Sequence, residues 1–233
     1  MSSRSRRRGS RGRGRPQRRG RRLSLVPIVG AAVVVGVVVL IVFVVTQSGG
    51  GSGSSNEDAI AAEADRDTSL PGEFVDLVEI YGGPYNDTAG HVSVAVDYEA
   101  DGNSNPPVGG PHWSGACGED PGEAPPFCGP APWGVFREEW EPETLVHNME
   151  HGGAVIWYNT DDQEVLDALE ALVEERLGAD DIVVMAPYSD MEPDTIALTS
   201  WSRIDKFPDS EFTEERVNDF LDAHVRRFNP EDF

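Results

Sequence analysis

The chain has 233 residues, 39% hydrophobic and 26% charged, with a formal net charge of -22. Residues 1–22 hold 11 Arg and no acid, while the remaining 8 Lys+Arg face all 41 Asp+Glu, a local net of -33. A folded part of that sign repels phosphate, which excludes a nucleic-acid partner, and two cysteines without a short repeat exclude a coiled coil, a collagen or a disulfide-dense mini-protein.

In chain order, residues 1–22 read as a basic cytoplasmic arm, disordered by composition. Residues 23–46 read as a transmembrane helix. Its heart, Leu25 to Val45, carries no charge, and at about 1.5 Å per residue it spans a hydrocarbon core of roughly 30 Å. Positive flanks stay in the cytoplasm, so the rest of the chain is expected outside, with the lipid bilayer as a partner. The alternative is a cleavable signal peptide, but Val44 to Ser48 offers no small-x-small site. Residues 47–69 form a linker, Gly/Ser-rich to Asn56 and acidic beyond it. Residues 70–233 form one extracytoplasmic domain, long enough for a real core.

Within that domain Val92 to Tyr98 is β-branched and predicts a strand. Glu99 to Pro132 is dense in Gly and Pro, which predicts a long loop without a helix or long strand. A short helix is expected over Glu141 to His151, with Pro142 in its first turn and Gly152 at its end. Ala154 to Tyr158 reads as a buried strand. Asp161 is the expected cap of the next helix, whose apolar stripe runs through Leu166, Leu169, Leu172 and Val173 to Gly178. Ile182 to Ala186 and Thr195 to Trp201 read as strands. Thr213 opens a last helix with Val217, Phe220, Leu221, His224 and Phe228 on one face. This order predicts an α+β fold: a small sheet with helices packed on one side, preceded by the single transmembrane helix. The strand order does not follow from the pattern.

Cys117 and Cys128 both lie in the Gly/Pro loop. Outside the membrane an even count favours a disulfide, and closing a loop of about ten residues contributes roughly 2.5–3 kcal/mol in the loop-entropy model.

Four of the five histidines, His91, His112, His147 and His151, fall within 61 residues. His147 and His151 are four apart on the expected helix, a two-ligand spacing for a transition metal. With Glu150 they spell His-x-x-Glu-His, the inverted zinc-peptidase string. Gly152-Gly153 ends the helix at once, whereas that chemistry uses a long helix, so the hydrolase reading is the weakest. Each histidine also has a structural reading. His151 suits a helix C-terminus, and His112 can stack and hydrogen-bond beside Trp113. His224 lies on an apolar face and reads as a core residue. The metal reading takes His91, His112, His147 and His151 as ligands, with copper or zinc as the cofactor. It places Glu150 behind them, as a second-layer partner, because it points about 100° round the helix from its neighbour.

The order His91-Val92, Pro106-Pro107, Gly110-Pro111-His112, Trp133-Gly134-Val135-Phe136 and Glu143-Thr144-Leu145-Val146-His147-Asn148-Met149-Glu150-His151-Gly152 resembles the bacterial domain-of-unknown-function family 3105. Trp201 matches a later Trp of that pattern. The likeness covers about residues 70–230. It departs at Val108-Gly109, at Phe136 in place of Tyr, and at Ser114 to Pro132, which looks like an insertion. The resemblance implies anchoring by one N-terminal span and a histidine site, and it carries no assigned activity.

Overall fold

The computed structural model describes residues 66–82 and 90–228. The expected arm, membrane span and most of the linker lie outside these residues. Among the described residues no helix is long and apolar enough to cross a membrane.

The elements run β1 (Glu73–Phe74), α1 (Leu77–Tyr81), β2 (His91–Val92), α2 (Tyr98–Asp101), β3 (His112–Trp113), β4 (Gly134–Val135), α3 (Pro142–Glu150), β5 (Ala154–Asn159), α4 (Gln163–Gly178), β6 (Val183–Pro187), β7 (Thr195–Ser200), β8 (Arg203–Pro208) and α5 (Glu214–His224). They build a six-stranded sheet in the order β1-β8-β7-β5-β6-β4 and a two-stranded sheet of β2 and β3. β6 runs parallel to both β4 and β5. The pairs β5–β7, β7–β8 and β1–β8 are antiparallel. The fold is therefore α+β around a mixed sheet.

The central strands β5, β6 and β7 are mostly apolar, with Thr and Ser only in β7 and Asn159 at the end of β5, and alternation sends successive side chains to opposite faces. Ala154, Ile156, Met185, Ile196 and Leu198 meet Leu166, Leu169 and Val173 of α4 and Val217, Phe220 and Leu221 of α5. Val155, Trp157, Val184, Ala186 and Ala197 meet Leu145, Val146 and Met149 of α3. Each fully buried Val, Leu, Ile, Phe or Met side chain among these contributes about 1.5–3 kcal/mol. The expectation of helices on one side is corrected by this second layer. α4 and α5 share one face, and α3 with the Gly/Pro loop covers the other.

Local chemistry explains the element ends. The Asp162 carboxylate accepts from the backbone N–H of Glu164 and Val165, so the cap falls one residue after the expected Asp161. Thr213 caps α5 by accepting from the N–H of Arg216. Gly152, at φ 79°, follows the end of α3. The expected strand over Val92 to Tyr98 shrinks to His91–Val92. Asp97 caps α2 instead, accepting from the N–H of Ala100, and the Tyr98 hydroxyl donates to the carbonyl of Pro111 at 2.6 Å. β8 carries a strand where none was expected. Only Ile204 and Phe207 in Arg203–Pro208 are hydrophobic, and the turn into it, Trp201-Ser202, holds Ser202 at φ 64° without a glycine or asparagine to announce it.

Candidate metal centre

The Gly/Pro loop and α3 bring the chemistry together. β2 and β3 pair in parallel with His91 opposite His112 and Val92 opposite Trp113, so two histidines from distant parts of the chain stand side by side. The close approach needs glycine. A Cβ on Gly109 would lie 2.5 Å from Leu77 Cδ1 and 3.2 Å from the Trp201 ring, and one on Gly110 would lie 2.6 Å from the Tyr81 ring. α3 adds His147 and Glu150, three apart and so on one face, and His151 caps its C-terminal end.

Ligand-type atoms of His91, His112, His147 and Glu150 all lie within 4.8 Å of one another. Ring centroids are 4.9 Å apart for His91–His112, 5.2 Å for His91–His147 and 4.8 Å for His112–His147. Glu150 was expected behind the ligands. Instead its Oε2 lies 2.8 Å from His112 Nε2 and 3.6 Å from His91 Nε2, because the i,i+3 step carries it onto the face of His147. His151 stands outside the four-atom group, with its Nε2 3.1 Å from that of His147.

The hydrogen bonds fix the tautomers. A carbonyl oxygen only accepts, so the Nδ1 of His147, 2.6 Å from the Trp113 oxygen, carries a proton. The same holds for His112 Nδ1, 2.9 Å from the Gly110 oxygen. In both rings Nε2 is left to face the cluster. Burial pushes His147 down to about 4, against the pull of the Trp113 carbonyl, so near neutral pH its Nε2 presents a lone pair. Burial pushes the Glu150 carboxyl up, but the His112 hydrogen bond and the attraction of the surrounding imidazoles outweigh it and hold it below the usual range. An ionised carboxylate thus faces His112 Nε2 at hydrogen-bond distance in a buried place. A cation, either a proton or a metal ion, has to lie between them.

The loop is fastened over this helix. Cys117 and Cys128 form the expected disulfide. The Thr144 hydroxyl donates to the Cys128 carbonyl at 2.6 Å. The Asn148 amide brackets Ala131, donating to its oxygen and accepting from its N–H. Sequence reasoning missed Thr144 and Asn148. Their signal was the i,i+4 spacing of two small polar residues on a helix otherwise read for its histidines. His224 lies elsewhere. Its Nε2–H donates to the Pro71 carbonyl, and its Nδ1 accepts from Arg227, in keeping with a core residue that is 1% exposed.

The model of the family described as Protein of unknown function (DUF3105) matches residues 91–232. The chain belongs to this family. The matched segment opens at His91 and takes in both cysteines, all five histidines and every strand except β1, so it covers the site and most of the sheet that carries it. No curated protein and no solved structure matches.

Proposed function

We propose that the chain is a single-pass, membrane-anchored protein whose extracytoplasmic domain holds one transition-metal ion, zinc or copper, on His91, His112, His147 and Glu150. The observation that carries this reading is the pair of Nδ1–H bonds from His112 and His147 to backbone carbonyls. Ligating imidazoles are oriented in this way, by a bond from the other ring nitrogen that fixes tautomer and direction. Three imidazoles and one carboxylate suit Zn(II) or Cu(II). Four protein ligands complete a tetrahedral sphere, which favours holding or passing on the ion over catalysis. The basic arm, the uncharged stretch over residues 23–46 and a disulfide beyond it support the placement outside the cell membrane.

A second reading has its own observation. The His112–Glu150 contact at 2.8 Å also satisfies both groups when a proton lies between them, and the histidines would then fix the loop of a surface interaction module. Metal analysis separates the two. The purified chain should carry about one zinc or copper ion, and His147→Ala should lose it while His224→Ala keeps it. A reporter fused after Phe233 tests the placement: it should be active outside the membrane.

A further inference from the structure

We infer that His151 is the transfer ligand of this site: it bonds the ion while the ion enters or leaves, without belonging to the resting set. The inference rests on the metal reading above.

The walls of the site are unequal. The His112 side chain is 0% exposed and that of Glu150 9%, whereas His91 is 43% exposed. His147 is buried and tied by its Nδ1–H to Trp113. An ion therefore cannot arrive past His112 or Glu150. It arrives on the side where His91 and the partly exposed His151 stand.

The spacing of the helical pair supplies the chemistry. Two nitrogens bound to one zinc at about 2.0–2.1 Å each stand about 3.3 Å apart in a tetrahedron. The Nε2 atoms of His147 and His151 are 3.1 Å apart with their rings near perpendicular, at 83°. Without metal this contact is a hydrogen bond, His151 Nε2–H donating to the His147 lone pair. The same spacing serves two donors to one ion once the His151 proton sits on its Nδ1, although His151 is not among the four residues whose ligand atoms converge.

A four-ligand site with no free position releases its ion slowly unless an added donor can bond before an old one lets go. Zinc accepts such a fifth ligand in passing. His151 is the neighbouring imidazole at the right distance from His147, at the C-terminal end of α3, where Gly152 and Gly153 follow. Its Nε2 bonds the ion as the exposed His91 releases it, and an incoming acceptor with nitrogen or sulfur donors then takes the ion from the His147–His151 edge. Coordination bonds exchange in this sequence while the His151 proton passes through solvent from Nε2 to Nδ1, and no electron is transferred.

The test loads the 233-residue chain with Zn(II) and follows zinc transfer to a chromogenic chelator by stopped flow, beside equilibrium titration. His151→Ala should still bind one ion, with affinity close to wild type, but its transfer rate should fall by at least about tenfold, the low end of what one supporting contact is worth at a metal site. His151→Asn keeps a polar residue at the helix end and should behave alike, which guards against a folding defect in the Ala variant. Affinity lost to the extent seen in His147→Ala would make His151 a resident ligand and overturn the inference. An unchanged transfer rate would overturn it equally. Failure of the wild-type chain to bind zinc or copper at all would instead remove the metal reading beneath it.

Discussion

The imidazole of His147 donates its Nδ1 proton to the carbonyl oxygen of Trp113 across 2.6 Å, although the two residues are 34 positions apart. Trp113 follows His112 on β3, so one short strand supplies a buried histidine to the cluster and the anchor for another. Gly129 closes the arrangement from the disulfide loop. A Cβ there would lie 2.6 Å from the Trp113 oxygen and 3.0 Å from His147 Nδ1.

Gly129→Ala should therefore weaken metal binding without touching a ligand. The added methyl has to displace the Trp113 carbonyl or the His147 ring, and loss of such a supporting contact costs about 10–100-fold in affinity. Isothermal titration with Zn(II) checks this. Affinity equal to wild type would show that the carbonyl does not orient the ring.

The disulfide should matter to stability more than its place in an irregular loop suggests. Replacing Cys117 and Cys128 together by Ser should cost roughly 2.5–3 kcal/mol of unfolding free energy. The strap over α3, through Thr144, Asn148 and Gly129, loses its covalent closure. Urea denaturation of the oxidised chain against the double variant measures the difference, and a loss under about 1 kcal/mol would contradict it.

Two buried histidines set the acid limit of the metal-free domain. Burial lowers both His147, to about 4, and His224. An unfolded histidine titrates near 6.5. Below that value the unfolded chain binds protons that the folded chain refuses, so stability is full above about pH 6.5 and falls as pH drops from there toward 4. Melting temperature in the presence of a chelator should decline over that interval. His224→Gln should show a shallower decline than wild type, since one of the two groups is gone. A flat profile from pH 7 to 5 would rule the linkage out.

The acidic surface should respond to salt. Beyond the arm 41 acids meet 8 basic residues. Arg216 serves both Asp205 and Glu211, and Arg176 both Asp181 and Asp222, which leaves most carboxylates to repel one another. Raising NaCl from 0.1 to 1 M shortens the screening length from about 10 Å to about 3 Å. The melting temperature should rise across that range, and no rise would count against a surface suited to high salt.

Much of the fold is local chemistry and was readable as such. The stripe Leu166, Leu169, Leu172 and Val173 makes α4 a helix wherever it lies, and Pro142 and Gly152 bound α3 by backbone stereochemistry alone. The cysteine pairing follows from there being two. β8 was not readable, because Arg203, Asp205 and Lys206 hide a strand whose pairing with β7 supplies what its composition lacks. The false strand after Val92 has the opposite cause. Its Val residues favour an extended chain, but Asp97 offers a helix cap and Val94 finds no sheet to join, remaining 62% exposed.

The same division runs through the site. The sequence by itself determined that His147, Glu150 and His151 share one turn of helix, since 3.6 residues per turn leaves no alternative. It also determined that a glycine-rich segment precedes His112. Only the tertiary structure decided that His91 lies beside His112, because strand register depends on which backbone groups find each other across 21 residues. Only it decided that Glu150 faces the histidines: the helix sets the angle between side chains but not its own rotation about its axis. That rotation is fixed by burying Leu145, Val146 and Met149 against the sheet, and it turns Glu150 inward as a consequence.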